Sequence, residues 1–216
     1  MNPDRYLQTY DVWRLENIAW EQLKKLPLIS IPVDIETIVQ KFPNIDIDVK
    51  RGLKEHHHIW GLVSRDLDTG ALVILVDDQL SDFDHLYKIY RMTIAEEFAH
   101  ILLHKDAIEK VESVEDFKAL QNHSDWGKHD RNAKRLAAAL LMPWENVLND
   151  SRILYKELVK VAGYGNPKVI KKYMVNKLAE TYEVSPSTMG YRLGEWPINV
   201  IEKIDQAMQN KLDFLD

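Results

Sequence analysis

Hydrophobic residues recur along the chain with two different periods, and the change between them outlines its organisation. Apolar positions at near-helical spacing predict an amphipathic helix over residues 4–26. The same spacing predicts a second, short helix over residues 33–39, which Asp34 would cap. Residues 45–49 then alternate between apolar and charged side chains. This alternation is typical of a strand that is buried on one face.

Two further strands are predicted to follow the first. Residues 59–64 and 71–76 are rich in apolar and β-branched side chains. The segment between them, residues 65–70, has the Asp and Gly composition of a hairpin turn. The three segments together predict a small antiparallel sheet of at least three strands.

From residue 81 onward the pattern is helical, which gives the order helices, sheet, helices and predicts an α+β fold. A polar, irregular segment is expected at residues 107–127, and a linker is expected around Gly163, Gly165 and Pro167. The predicted helices cover residues 84–104, 129–141, 144–161 and 168–182, and one more begins at Pro186.

Composition and charge narrow the class of protein. The chain has no Cys, no apolar run near the roughly 20 residues that cross a bilayer, and no signal-peptide pattern at its start. These features predict a cytoplasmic protein without disulfides and without membrane contact. The net charge of −6 argues against extensive nucleic-acid binding, which relies on clustered Lys and Arg. The most basic cluster comprises Lys168, Lys171, Lys172 and Lys177.

The candidate chemistry lies in the helix predicted over residues 84–104. Its sequence Glu96-Glu97-Phe98-Ala99-His100 differs from the zinc-protease motif H-E-x-x-H only at the first position. On a helix, Glu96 and His100 lie one turn apart on one face, and Glu97 flanks that face. Two such ligands plus a third leave one position of a metal open for water, which Glu97 could deprotonate. The alternative is a solvated helix face with an incidental His.

A third ligand is expected from the helix at residues 129–141, whose Ala-rich sequence suits close packing against a neighbouring helix. His129 and Asp130 lie at its start, and either could point into a site between the two helices. Asp130 could instead be a charge that stabilises the helix N-terminus, and His129 could lie on the surface. His104, one turn beyond His100, is expected to line the cleft or to be a structural hydrogen-bonding residue, and it could serve as a substitute nitrogen donor.

Taken together, these features resemble the ImmA/IrrE-type metallopeptidases. The combination of Thr-Ile-Ala-x-Glu-x-x-His on one helix with Leu-Leu-Met-Pro downstream is specific, whereas either half alone is weak. The resemblance covers nearly the whole chain, and members carry a helix-turn-helix-like segment near the C-terminus. It rests on residues 32–36, 75–77, 91–104, 137–143 and 178–189.

The resemblance implies a metal-dependent endopeptidase that acts on a partner helix-turn-helix repressor, as in phages and other mobile elements. It implies that Glu97 activates a metal-bound water and that Glu96, His100 and Asp130 hold the metal. Glu96 takes the position of the family's first His ligand. One nitrogen and two carboxylates suit zinc less well than an all-nitrogen set, so another divalent ion such as manganese is also expected.

The resemblance also implies the arrangement of the chain. It predicts a small antiparallel sheet packed on a zincin-like helical core, with extra C-terminal helices. Residues 1–160 would form the metallopeptidase domain, including the N-terminal helix. Residues 161–216 would form a helix-turn-helix-like segment packed on that domain.

A second hypothesis is a catalytically degenerate binding module on the same scaffold. It would capture a repressor or an antitoxin-type partner without a metal. Repulsion between Glu96 and Glu97 would then be relieved by protonation of His100 or His104. Direct reading of DNA is the least favoured function, because the net charge is negative and the C-terminal helices carry several Glu.

Overall fold

The computed structural model describes residues 10–162 and 166–210, and these ranges contain eleven helices and three strands. The chain divides into two compact units, residues 1–141 and residues 142–216. The division after residue 160 stays a prediction. The first unit contains α1 (Val12–Leu23), α2 (Ile35–Val39), β1 (Ile45–Lys50), α3 (Leu53–His57), β2 (Gly61–Arg65), β3 (Leu72–Asp77), α4 (Asp78–Asp82), α5 (Tyr87–Ile108), α6 (Val114–Gln121) and α7 (Trp126–Leu141).

The three strands form one mixed sheet in the order β1-β3-β2. Strands β2 and β3 are the predicted antiparallel hairpin, and Asp66 in their turn accepts hydrogen bonds from the N–H groups of Asp68 and Thr69. Strand β1 runs parallel to β3, with Ile45 opposite Leu72. The prediction of a wholly antiparallel sheet was therefore wrong. Helix α3 and strand β2 lie between β1 and β3 in the chain, and β2 runs antiparallel at the opposite edge of the sheet. They give the long connection that parallel neighbours require.

Polar side chains cap several helices of this unit, among them α2 and α6. Asp34 caps α2 as predicted and accepts a hydrogen bond of 3.1 Å from the N–H of Thr37. Helix α6 was not predicted, since residues 107–127 were expected to be irregular. Ser113 caps it, accepting a hydrogen bond from the N–H of Asp116 while donating its hydroxyl to the Asp116 carboxylate. A single turn of capping pattern with few apolar residues gave too little signal to predict this helix.

The core of the first unit is built around the contact between α5 and α7. Small residues on both helices are fully buried, including Ala95 and Ala99 of α5 and Ala133 and Ala137 of α7, so the two backbones approach closely. A second buried cluster lies where α3, β2 and α6 meet the start of α7. Its members are Leu53, Leu62, Val111, Val114, Phe117 and Trp126.

The second unit is helical in its described part. Arg192 is buried within it and donates from Nε and Nη2 to the carbonyl oxygen of Met142, at 3.0 and 2.9 Å. The predicted linker residues Gly163 and Gly165 lie outside the described residues. The unit comprises α8 (Trp144–Ala162), α9 (Pro167–Thr181), α10 (Pro186–Gly194) and α11 (Val200–Asn210).

The basic cluster of α9 is partly neutralised by neighbouring acids. Lys171 forms a salt bridge of 2.7 Å with Asp205, and Lys177 lies 3.7 Å from the carboxylate of Glu180. These pairs reduce the positive charge that α9 offers to a phosphate backbone. Over the described ranges, no helix combines the length and apolar character needed to cross a membrane.

One buried carboxylate, that of Asp77, joins the beginnings of two helices. Its Oδ2 accepts a hydrogen bond of 2.7 Å from the N–H of Lys54 in α3. Its Oδ1 accepts one of 3.1 Å from the N–H of Gln79 in α4. The side chain has no exposed surface. The sequence predicted only a strand end at this position.

The Asp77→Ala variant is expected to lower the free energy of unfolding by about 2–4 kcal/mol, because it leaves two backbone N–H groups without an acceptor. Asp34→Ala removes an exposed cap of a single helix and should cost about 1 kcal/mol. Urea unfolding of the two variants measures the difference. Equal losses would show that the second hydrogen bond of Asp77 adds nothing.

Candidate metal centre

Helix α5 presents the predicted motif to α7. Glu96 and His100 lie one turn apart on it, and the side chain of His100 is buried. The backbone of His104 departs from helical geometry, with φ −134° and ψ 30°, so the regular helix is interrupted where the sequence predicted its end. The motif therefore lies in the last regular turns of a long, buried helix, which fixes its side chains.

Helix α7 begins at Trp126, three residues before the predicted start. Gly127 made this segment look like a loop in the sequence. Asp130 consequently lies beyond the first helical turn, where the helix dipole no longer favours a negative charge. The interpretation of Asp130 as an N-terminal helix charge does not apply.

Three side chains converge between the two helices. One possible ligand atom from each of Glu96, His100 and Asp130 lies within 4.8 Å of the other two. Nε2 of His100 lies 4.0 Å from Oδ1 of Asp130. The structure thus brings together the three predicted ligands, which offer one nitrogen and two carboxylate donors.

The three side chains line a cavity of about 300 Å³, and Glu97 lies in the same wall. Oε2 of Glu97 is buried and accepts no hydrogen bond from the described residues. Buried carboxylate oxygens are normally hydrogen-bonded, so this atom is suited to a partner that enters the cavity. The remaining wall consists of Ile59, Trp60, Gly61, Thr93, Phe117, Gln121, Trp126 and Lys134.

Lys134 is a site residue that the sequence-based reasoning missed. Its Nζ lies 2.7 Å from Oδ2 of Asp130 and 3.7 Å from Oε1 of Glu96. It follows Asp130 by four residues, so helical spacing already places both side chains on one face. Its side chain is a cation and does not bind a metal, so a pattern of acidic and His ligands does not point to it.

Burial shapes the charge of the two motif carboxyls. It raises the pKa of Glu96 to about 7. The charge of Lys134 lowers this pKa, and the charge of Asp130 raises it further. Burial also raises the pKa of Glu97 well above its usual range, reinforced by the charges of Glu96 and Asp130. Burial works against the charge of Lys134, but the hydrogen bond to Asp130 and the charge of Glu96 outweigh it and raise the pKa of Lys134.

His100 and His104 do not supply a positive charge to balance the carboxylates of Glu96 and Glu97. Burial lowers the pKa of His100 to about 3 and that of His104 to about 4. The expectation that protonation of either ring relieves the repulsion between Glu96 and Glu97 is therefore wrong. The ammonium group of Lys134 provides that relief instead.

Aromatic packing orients His100 and places its ring beside His104, with centroids 5.7 Å apart. The His100 ring stacks on the indole of Trp126, with centroids 4.9 Å apart and an interplanar angle of 9°. His104 and His129 contact each other edge to face at 5.0 Å, and both are buried. Neither His104 nor His129 lines the cavity. His129 is buried against the ring of His104 rather than on the surface as expected.

Strand β2 approaches α5 so closely that one position has room only for glycine. A Cβ atom on Gly61 would lie 2.5 Å from Cγ2 of Thr93 and 3.4 Å from Cγ of Glu97. Both neighbours belong to the cavity wall. Gly61 therefore lets the strand lie directly against the base of the Glu97 side chain.

The Gly61→Ala variant is expected to lower the free energy of unfolding by about 1–3 kcal/mol, because the added methyl overpacks this contact. Adding Thr93→Ser removes the clashing methyl and should restore part of the loss. Gly127→Ala is the matched control, since a Cβ there meets nothing within 4 Å. Thermal unfolding of the three variants checks the order. A Gly61→Ala protein as stable as the wild type would contradict the steric account.

The donor set fits a divalent cation. It offers three protein ligands and leaves room for water in the adjoining cavity, as catalytic metal sites do. Two carboxylate donors lean towards harder ions than zinc. The unpartnered oxygen of Glu97 lies in the same wall, outside the set of three ligands. These side chains could thus hold a divalent cation beside a buried carboxyl group.

Comparison with known families agrees with this geometry. The family Peptidase_M78, described as the IrrE N-terminal-like domain, matches residues 35–194. The match runs from the first residue of α2 to the last residue of α10 and includes the whole of α5 and α7. No curated protein matches the sequence significantly. The family resemblance and the α+β fold predicted from the sequence are confirmed, and the chain belongs to the Peptidase_M78 family of IrrE N-terminal-like domains.

Proposed function

We propose that this protein is a metal-dependent endopeptidase of the ImmA/IrrE type, in which Glu96, His100 and Asp130 hold the metal and Glu97 is the general base. The observation that carries the proposal is the convergence of three ligand atoms within 4.8 Å beside the unpartnered oxygen of Glu97. Membership in a peptidase family gives the reaction class.

The three ligands and Glu97 would have separate roles in peptide hydrolysis. A divalent cation held by the three ligands would polarise the scissile carbonyl and make water more acidic. Glu97 accepts a proton from the water molecule whose oxygen attacks the carbonyl carbon. Glu97 then returns this proton to the amide nitrogen as the carbon–nitrogen bond breaks, so that the carboxylate is regenerated.

The environment of Glu97 suits this role. Burial and the charges of Glu96 and Asp130 raise the pKa of Glu97 well above its usual range, which makes its carboxylate a stronger proton acceptor than an exposed one. Ile59, Phe117 and Trp126 form the apolar part of the cavity wall. His100 is held neutral by burial, which leaves a nitrogen lone pair for a metal.

The substrate we propose is a helix-turn-helix repressor. Such partners are implied by the ImmA/IrrE resemblance, and an exposed loop of a repressor would enter the cavity as an extended segment. Zinc or manganese is the proposed ion. The protein would act in the cytoplasm, without membrane contact and without binding nucleic acid itself.

The test combines metal analysis with a cleavage assay. The purified full chain is analysed for zinc and manganese and incubated with a helix-turn-helix repressor of the kind that the resemblance implies. We expect about one ion per chain and a discrete cleavage of the partner that chelation stops and the ion restores. Cleavage that is unaffected by thorough chelation would contradict a metal-dependent mechanism.

The ion pairs of Lys134 favour a second candidate function, a binding module that works without a metal. The ammonium at 2.7 Å from Asp130 and 3.7 Å from Glu96 already balances part of their charge. Under this alternative the cavity captures a repressor or an antitoxin-type partner and cleaves nothing. Metal-free protein that binds the partner with an affinity unchanged by chelator would support it over the peptidase.

A further inference from the structure

The ammonium group of Lys134 lies among the atoms that a divalent ion needs. Its Nζ is 2.7 Å from one oxygen of Asp130 and 3.7 Å from one oxygen of Glu96. The other oxygen of Asp130 faces His100 at 4.0 Å. The Asp130 carboxylate thus directs one oxygen to Lys134 and the other towards His100.

The ammonium group of Lys134 can be displaced from the site, because its side chain is half exposed. About half of its side-chain surface is exposed (53% of the maximum), whereas Glu96 and Asp130 are exposed to only 23% and 27%. A flexible lysine stem that reaches solvent can move its charge away from the site at little steric cost. The two carboxylates are more buried than the lysine and have less freedom to turn towards solvent.

We propose that Lys134 is a built-in competitor for the metal, which balances the carboxylates of Glu96 and Asp130 in the ion-free protein and must be displaced before a divalent ion binds tightly. This inference rests on the proposed metal-dependent function and adds to it a residue that sets the ion affinity. Lys134 thereby makes the site responsive to the concentration of free ion.

Simple electrostatics gives the direction of the effect. Lysine cancels one of the two negative charges that attract the ion, and it would repel a dication held by the same carboxylates. It also occupies a lone pair of Asp130 with a hydrogen bond. Each of these effects weakens metal binding. The same hydrogen bond could also hold the Asp130 carboxylate in a binding orientation, which would strengthen metal binding. Close-range repulsion in a half-buried site is the larger contribution.

The experiment titrates metal-stripped full-length protein with Zn²⁺ and with Mn²⁺ by calorimetry. Lys134→Met is expected to bind at least about tenfold more tightly than the wild type. Lys134→Arg keeps a cation and should stay near the wild type. Lys128→Met is the matched control on α7, because Lys128 pairs with Asp125 at 2.9 Å and lies outside the cavity wall. Thermal unfolding without metal confirms that each variant folds.

The outcomes separate the inference from the proposed function. If the wild type binds metal and Lys134→Met binds it equally or more weakly, the inference is overturned and the proposed metal site stands. If only Lys134→Met binds metal, the inference is supported and the metal-dependent function of the natural chain fails. If no variant binds either ion, both are overturned.

Discussion

The Glu97→Gln variant is expected to cleave the partner repressor about a hundred to ten thousand times more slowly than the wild type, the usual contribution of a general base. An amide of the same shape cannot accept the proton of the attacking water. Metal binding should persist, because Glu96, His100 and Asp130 form the ligand set without Glu97. Rates of repressor cleavage and metal content, measured on the same preparation, test both statements.

Glu109→Gln is the control for this substitution. It makes the same chemical change at the end of α5, on a side chain that is 45% exposed and outside the cavity wall. Its cleavage rate should equal that of the wild type. Undiminished cleavage by Glu97→Gln would remove Glu97 from the mechanism. Loss of metal together with activity would instead make Glu97 a ligand.

The Glu96→His variant should bind zinc at least tenfold more tightly than the wild type and prefer it more strongly over manganese. The substitution gives two nitrogens and one carboxylate, a set that suits zinc better than one nitrogen and two carboxylates. It also removes one of the two acidic partners of Lys134. Competition titrations with a zinc indicator and with Mn²⁺ give the two affinities.

Glu109→His is the matched control for this variant, since it adds a His to the same helix away from the cavity wall. Zinc affinity equal to the wild type is expected there. If Glu96→His binds zinc no better than the wild type, the side chain at position 96 does not contact the ion. The proposal that Glu96 replaces a His as a metal ligand would then fail.

Much of the fold follows from periodicity. The burial of α5 and α7 produced strong helical patterns, and the hairpin between β2 and β3 was evident from its turn residues. The parallel pairing of β1 with β3 could not be predicted, because alternation identifies a strand but says nothing about its neighbour. Helix α6 was missed because a short helix with two buried apolar residues, Val114 and Phe117, has almost no pattern.

The candidate site was predictable to the extent that it depends on spacing within a helix. Glu96, Glu97 and His100 come from one motif, and Asp130 came from the family pattern. Lys134 was also within reach, since it lies one turn from Asp130. Gly61 was not, because its role arises from the approach of a strand to a helix distant in sequence. Contacts of that kind depend on tertiary packing.

The shared capping of α3 and α4 by Asp77 has a consequence for motion around the cavity. Helix α3 leads directly into Ile59 and Trp60 of the cavity wall, and α4 precedes α5. A fluctuation that moves the common carboxylate breaks its hydrogen bonds to both helix starts at once, so we expect the two segments to open together. The amide protons of Lys54 and Gln79 would then exchange with solvent in a single event, and this part of the wall would not open independently of the segment that leads into α5.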